Sequence, residues 1–208
     1  MDRLPGPVQE RGHVENSRYE IRLSGSGGQG IIMAALILAE GAGVHDGKYV
    51  SQTQSYGPEA RGGKSKAEVV ISGKTIDYPK AIQLDLLLAM NQASCDEYFK
   101  DLKPDGLLVV DSSLVEQVPT SRSLALPFTW IARKRMGNEL VANMVALGSV
   151  GYLCPQVSLK GLEAALKTRV PAGTEKKNLR AFRAGVKAAQ EVDLSALPPF
   201  ITPADEEV

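Results

Sequence analysis

The chain has 208 residues, 43% hydrophobic and 23% charged, with 24 basic side chains against 24 acidic ones. That length suits one domain with appended tails, and the composition is that of an ordinary globular protein. Zero formal net charge and only 5% aromatic residues provide neither the basic field nor the stacking surface of a nucleic-acid binder.

Residues 1–17 contain Pro5-Gly6-Pro7, scattered charges and little periodicity, which predicts a disordered or loosely attached tail. They lack the charged-then-apolar pattern of a secretory leader. No stretch reaches the roughly 18 apolar residues that a membrane span needs, so a cytoplasmic location is expected by elimination. Tyr19-Glu20-Ile21-Arg22-Leu23 alternates toward a strand. Ser24-Gly25-Ser26-Gly27-Gly28-Gln29-Gly30 follows as a glycine loop, and Ile31 to Ala42 runs apolar at helical length. Strand, glycine loop and helix open a nucleotide-type β-α-β unit. Gly27 is expected to need both unusual torsions and close approach of another group. The free amides of the helix's first turn favour an anion there.

Gly25, Gly27 and Gly30 fit G-x-G-x-x-G, a pattern that is not specific alone. In the dinucleotide fingerprint an acid near the end of the second strand holds the ribose. The second strand here is predicted over Lys48 to Thr53. It leads into Gln54-Ser55-Tyr56 with no acid at its tip, and Gln54 could replace only part of that interaction. Three uses of the loop stay open: a nucleotide site, a tight packing turn, and contacts with some other phosphate group.

Gln54 to Gly63 is polar and glycine-rich and follows a strand, which in open α/β sheets is the binding edge. Ala67 to Ser72 alternates, and Ser72-Gly73-Lys74 predicts a hairpin into Thr75-Ile76, hence a mixed sheet. Leu84 to Met90 is an apolar run broken only by Asp85, like a strand buried on both faces. Ser94 to Leu102 reads as a helix with Ser94 as N-cap and Glu97 three residues on, stopped by Pro104-Asp105-Gly106. Leu107 to Val110 is the next buried strand, and Phe128 to Ala132 a further one. Asn138 caps a helix toward Tyr152, Ser158 caps another, and a third starts at Thr174 or Glu175. These elements predict an α/β, three-layer Rossmann-like domain with a mostly parallel, mixed sheet and a helical C-terminal part. It would span 18–192, followed by a C-terminal tail over 193–208.

The chemistry offered is sparse. Gly62-Gly63-Lys64-Ser65 resembles the end of a phosphate loop, but Pro58 stands where that motif needs glycine, and the segment feeds a strand. Arg61 can pair with a carboxylate or phosphate at two points, with Gly62 and Gly63 exposing neighbouring amides; a solvated surface arginine is the other reading. His13 and His45 are the only histidines, so neither a metal triad nor a Ser-His-Asp site can be assembled. Asp111 at a strand end can bind or act as a base, but more commonly such a residue makes a turn or caps a helix. Asn143 in an apolar helix needs a partner if buried. Cys95 and Cys154 fall short of the four thiolates of an iron–sulfur cluster and read as buried free thiols. No catalytic residue and no metal ligand are assigned.

Taken together, Ser24 to Gly30, Ser55-Tyr56-Gly57-Pro58-Glu59-Ala60-Arg61-Gly62-Gly63, Asp105-Gly106 to Asp111-Ser112, and Asn138 to Gly148 resemble the gamma subunit of 2-oxoacid:ferredoxin oxidoreductases. The resemblance covers roughly residues 19–190, and its Tyr-Gly-Pro-Glu-Ala-Arg-Gly-Gly stretch is most similar to the 2-oxoglutarate branch rather than the pyruvate branch. It implies a subunit of an enzyme that oxidatively decarboxylates a 2-oxoacid to an acyl-CoA and passes electrons to ferredoxin. Thiamine diphosphate and the iron–sulfur clusters are implied in the partner subunits, alpha, beta and in some members a ferredoxin-like delta. This chain alone is expected to be inactive, and no nucleic acid or membrane partner is expected. CoA is the ligand that the resemblance allows for the gamma domain. The candidate contacts are Gly25, Ser26, Gly27, Gly28, Gln29, Gly30, Tyr56, Gly57, Arg61, Gly62 and Gly63. A stand-alone Rossmann-like nucleotide-binding protein and a purely structural subunit are the alternatives.

Overall fold

The computed structural model describes residues 18–56 and 64–198. Gly57, Arg61, Gly62, Gly63, the tail 1–17 and residues 199–208 lie outside them. Six strands form one sheet: β1 (Tyr19–Ser26), β2 (Tyr49–Tyr56), β3 (Lys64–Ser72), β4 (Leu84–Ala89), β5 (Leu102–Asp111) and β6 (Ser123–Leu126). Their order is β2-β3-β1-β4-β5-β6. β1, β4, β5 and β6 are parallel neighbours, whereas β3 runs antiparallel to both β1 and β2. The expected mixed, mostly parallel sheet is present.

Period-2 alternation sorts side chains between two cores. Ile21 and Leu23 of β1 and Leu86 and Leu88 of β4 enter the larger core. They meet α1 (Ile31–Glu40), α3 (Phe128–Met136), α4 (Ala142–Leu153), α5 (Leu159–Arg169) and α6 (Glu175–Gln190) there. Leu87, Ala89, Leu108 and Val110 enter a smaller core under α2 (Gln92–Tyr98) with Cys95 and Tyr98. Helices on both faces make the three layers.

α4 is buried continuously from Ala142 to Gly151. A helix apolar all round belongs inside a domain, and this one is enclosed by its helical neighbours. α5 starts at the expected cap: the Ser158 hydroxyl accepts from Gly161 N at 2.9 Å, while Asp46 Oδ2 accepts from Ser158 N at 2.6 Å. Asn138 caps a single 3-10 turn, accepting from Leu140 N at 3.0 Å, before α4 begins. α6 begins at Glu175 as expected. Leu194 and Leu197, within the predicted tail, are partly buried against the larger core.

Several boundaries differ from the sequence expectation. No strand forms at Thr75-Ile76; the antiparallel partner of β3 is β2. Residues 73–83 instead cross at the sheet's lower end, where Glu20 Oε2 accepts from Gln83 N at 3.0 Å and Ser51 Oγ donates to Pro79 O at 2.9 Å. β2 is not the parallel neighbour of β1, because β3 lies between them and β4 takes that place. Phe128 to Ala132 is helical. Leu124 and Leu126 supply the strand alternation, Pro127 ends it, and Phe128, Ile131 and Ala132 are buried at helical spacing. Asn91, not Ser94, caps α2, its Oδ1 accepting from Ser94 N at 2.8 Å. The buried Ser94 hydroxyl has no hydrogen-bond partner among the described residues. Leu102 already pairs in β5, and Pro104 to Gly106 form an irregularity inside that strand rather than a stop before it, a place where proline is tolerated. α1 ends at Glu40 and continues as a π turn over Gly41–His45.

Candidate functional site at the carboxyl ends of β1 and β4

The chain leaves β1 over one face of the sheet, through α1 toward β2. It leaves β4 over the opposite face, through α2 toward β5. β1 and β4 therefore flank the topological switch point, where open α/β sheets form a crevice outside the strands' carboxyl ends. The glycine loop and Met90-Asn91 lie side by side at that edge, bonded to each other.

β1 runs on to Ser26, so Gly25 and Ser26 belong to the strand and the open loop shrinks to Gly27–Gly30. Gly25 is required by contact: a Cβ there would stand 3.1 Å from the Met90 Cβ and 2.5 Å from Gln29 Oε1. The unusual torsions belong to Gly28, at φ 91°, and Gly30, at φ 74°; Gly27 is not in the left-handed region, contrary to expectation. Gly27 and Gly28 are exposed.

The polar side chains of the loop mostly brace it. Gln29 Oε1 accepts from Ser26 N at 2.7 Å, and its Nε2 donates to Met90 O at 3.4 Å. Asn91 Nδ2 donates to Ser26 Oγ at 2.6 Å. Asn143 Nδ2 donates to Gly30 O at 3.1 Å, and Asn143 Oδ1 accepts from Met144 N at 2.9 Å. A Cβ on Gly30 would come within 2.9 Å of Asn143 Cγ and closer still to its Nδ2. What the loop leaves open is backbone. Gly30 is the N-cap of α1 with no side-chain cap, no acid sits in the first turn, and the first i to i−4 bond is Ala34 N to Gly30 O. The preceding amides have no intrahelical acceptor, and an anion is favoured in front of them.

The second candidate segment meets this loop through its flanks. Tyr56 pairs with Ser65, Ser65 with Gly25, and Lys64 with Ser26. The chain thus leaves for Gly57 and returns from Gly63 at the end of the sheet that carries the glycine loop. Dinucleotide geometry is not reproduced: the β2 tip, Gln54-Ser55-Tyr56, carries no acid and lies two strands from β1.

Asp111 resolves to turn and cap work. Fully buried, it accepts from Thr129 N at 3.0 Å, from the Thr129 hydroxyl at 2.5 Å and from Ser113 N at 3.0 Å. His45 lies in the π turn and His13 outside the described residues. No cluster of His, Cys, Asp or Glu among the described residues could hold a metal ion, and no helix there is long and apolar enough to cross a membrane. Met90-Asn91 and the Asn143–Gly30 contact were not singled out as site elements in the sequence. The signal for the first was the apolar run ending at Met90, which as a parallel neighbour of β1 must end at the same edge.

Cys95 and Cys154 are free and buried. Burial pushes their thiols up, to about 11 and about 12, so both stay neutral at physiological pH, and the thiolate is the nucleophile. The native chain should therefore show almost no fast reaction with an aromatic disulfide reagent at pH 8, and two thiols once unfolded. A stoichiometric fast phase in the native state would contradict this burial.

The described residues thus form a single-sheet α/β domain, with a helix start that has no side-chain cap at the switch point. Residues 20–188 match the family model described as pyruvate ferredoxin/flavodoxin oxidoreductase. The 2-oxoglutarate synthase subunit KorC of Methanocaldococcus jannaschii is 48% identical over 179 residues, 84% of this chain and 96% of that protein. The crystal structure of the keto/oxoacid ferredoxin oxidoreductase gamma subunit from Geobacter sulfurreducens superposes with a TM-score of 0.76 at 45% identity, covering 84% of this chain and 97% of that one. The 2-oxoglutarate:ferredoxin oxidoreductase of Magnetococcus marinus, solved with 2-oxoglutarate, coenzyme A and succinyl-CoA bound, also gives 0.76 at 25% identity. It covers 90% of this chain but only 33% of that one. The chain belongs to the pyruvate ferredoxin/flavodoxin oxidoreductase family, as a gamma-type subunit of a multisubunit oxoacid:ferredoxin oxidoreductase.

Proposed function

We propose that this gamma subunit serves a 2-oxoglutarate:ferredoxin oxidoreductase and that its β1/β4 crevice contributes contacts to the phosphates of CoA. The observation that carries the reading is the meeting, at one end of the sheet, of the uncapped start of α1, the exposed Gly27-Gly28 backbone and the two strand ends flanking Arg61. A diphosphate offered there would meet backbone donors and a guanidinium, the combination suited to it. Tyr56, Gly57, Gly62 and Gly63 would shape the rim, and Gly25, Ser26, Gln29 and Gly30 would hold the loop. The Magnetococcus marinus enzyme, which contains a region similar to this chain, binds CoA. Thiamine diphosphate supplies the carbanion chemistry in such enzymes. Neither it nor iron–sulfur clusters are assigned to this chain, whose two cysteines are too few for a cluster; alpha and beta partners, with a delta in some assemblies, would carry them and deliver electrons to ferredoxin.

Reconstitution tests this. The purified chain alone should not reduce an acceptor with 2-oxoglutarate, CoA and thiamine diphosphate present, and adding the partner subunits should bring activity. Turnover by the chain alone would end the subunit reading. A purely structural role is the second reading, favoured by the internal bonds of Ser26, Gln29 and Asn143. Unchanged CoA affinity in a complex assembled with a glycine-loop variant would select it.

A further inference from the structure

Three large apolar side chains stand exposed near the same end of the sheet. Trp130 of α3 is 47% exposed, Leu140 in the turn before α4 is 78% exposed, and Leu114 after β5 is 38% exposed. They are tied into one surface. Trp130 N donates to Ser113 Oγ at 3.2 Å, next to Leu114, and Arg133, one turn after Trp130, pairs with Glu139 beside Leu140 at 2.7 Å. Trp130, Arg133 and Lys134 share the outer face of α3 at helical spacing, and Arg135 follows. In a chain with no net charge, this helix end has three consecutive cations, of which Arg133 is paired with Glu139. An exposed tryptophan beside an arginine is the composition of a binding hot spot.

We propose that this surface is the docking site for a partner subunit of the complex, the one equivalent to the part of the longer Magnetococcus marinus chain that this chain does not cover. The proposal rests on the subunit reading above. Relative length supports the occupant: the region similar to this chain is about one third of that polypeptide, so the same α/β domain works there with the rest of its own chain. Charge gives the partner its chemistry, an apolar pocket for Trp130 rimmed by a carboxylate facing Lys134. Position gives the contact a use. α3 starts at the sheet's carboxyl edge, where Thr129 bonds Asp111, and Leu140 lies three residues before Asn143, which bonds Gly30 of the glycine loop. A subunit seated here would stand beside the crevice.

Trp130 is the chain's only tryptophan, so incorporation of 5-fluorotryptophan gives a single fluorine resonance. The labelled chain is titrated with the unlabelled remaining subunits of the complex, each identified by mass. The resonance should shift and broaden on assembly. Trp130→Ala should weaken assembly about thirtyfold or more. Lys134→Glu should weaken it about tenfold at low salt and less as salt rises. Assembly without a change in the resonance, together with normal assembly of Trp130→Ala, would overturn the docking site and leave the subunit reading intact. Failure of the unsubstituted chain to bind any of those subunits would overturn both. A resonance that shifts with the concentration of the chain alone would identify a second copy as the occupant and also overturn the proposal.

Discussion

Gly185→Val is expected to prevent the chain from folding, and Gly185→Ala to destabilise it by about 3 kcal/mol or more. α4 and α6 approach through a reciprocal pair of glycines. A Cβ on Gly185 would stand 2.7 Å from the Val145 carbonyl carbon and closer to its oxygen. A Cβ on Gly148 would stand 2.9 Å from the Phe182 carbonyl carbon and closer to its oxygen. Both obstacles are backbone, which cannot swing aside as a side-chain tip can. Neither glycine is in the left-handed region, so the cost is steric. Helix propensity works the other way, favouring alanine by about 1 kcal/mol, and the clash outweighs it. Separating the helices would also break the bond from Ser149 Oγ to Gly185 O at 2.8 Å and open the core around Phe182. With total stabilities of about 5–15 kcal/mol, alanine should leave a weakened protein and valine none. Urea melts decide it: an unchanged midpoint for Gly185→Ala would mean that the two helices do not pack this closely.

Helix starts could be read from the sequence because capping is local: Ser158 bonds an amide only three residues away. The buried strand β4 was readable for a similar reason, since five of its six residues are apolar. The short run Phe128 to Ala132 was not, because four or five apolar residues fit either period, and only the strand before Pro127 shows that the sheet position is already filled. The hairpin at Gly73 was misplaced because a turn signal says that the chain bends, not what it pairs with afterward. In the site, the glycines announced a close approach but not its partner. Gly30 is tight against Asn143, 113 residues away, and no local pattern carries that distance. Gln29 reads as a possible ligand contact, and its amide bonds Ser26 N within the loop and Met90 O beside it.

Arg61→Ala in the assembled enzyme should raise the CoA constant about tenfold to 150-fold while leaving the 2-oxoacid constant nearly unchanged. That range corresponds to about 1.5–3 kcal/mol for a lost charge-assisted hydrogen bond. Arg61 lies between Gly57 and Gly62-Gly63, in the segment whose flanks Tyr56 and Lys64 are fixed by pairing with Ser65 and Ser26. CoA brings phosphates, whereas under the proposed division of labour the 2-oxoacid would react at a thiamine centre in other subunits, so one charge in this segment should separate the two substrates. Arg61→Lys should recover only part of the loss, because an ammonium keeps the charge but not the planar fork. Were Arg61 instead an anchor between subunits, alanine would loosen assembly, and both substrates would be used more slowly in proportion to the lost complex. Steady-state rates are therefore measured on complex purified after assembly, varying CoA and 2-oxoglutarate separately. An unchanged CoA constant in a fully assembled Arg61→Ala enzyme would remove the CoA contact and put the structural-subunit reading ahead.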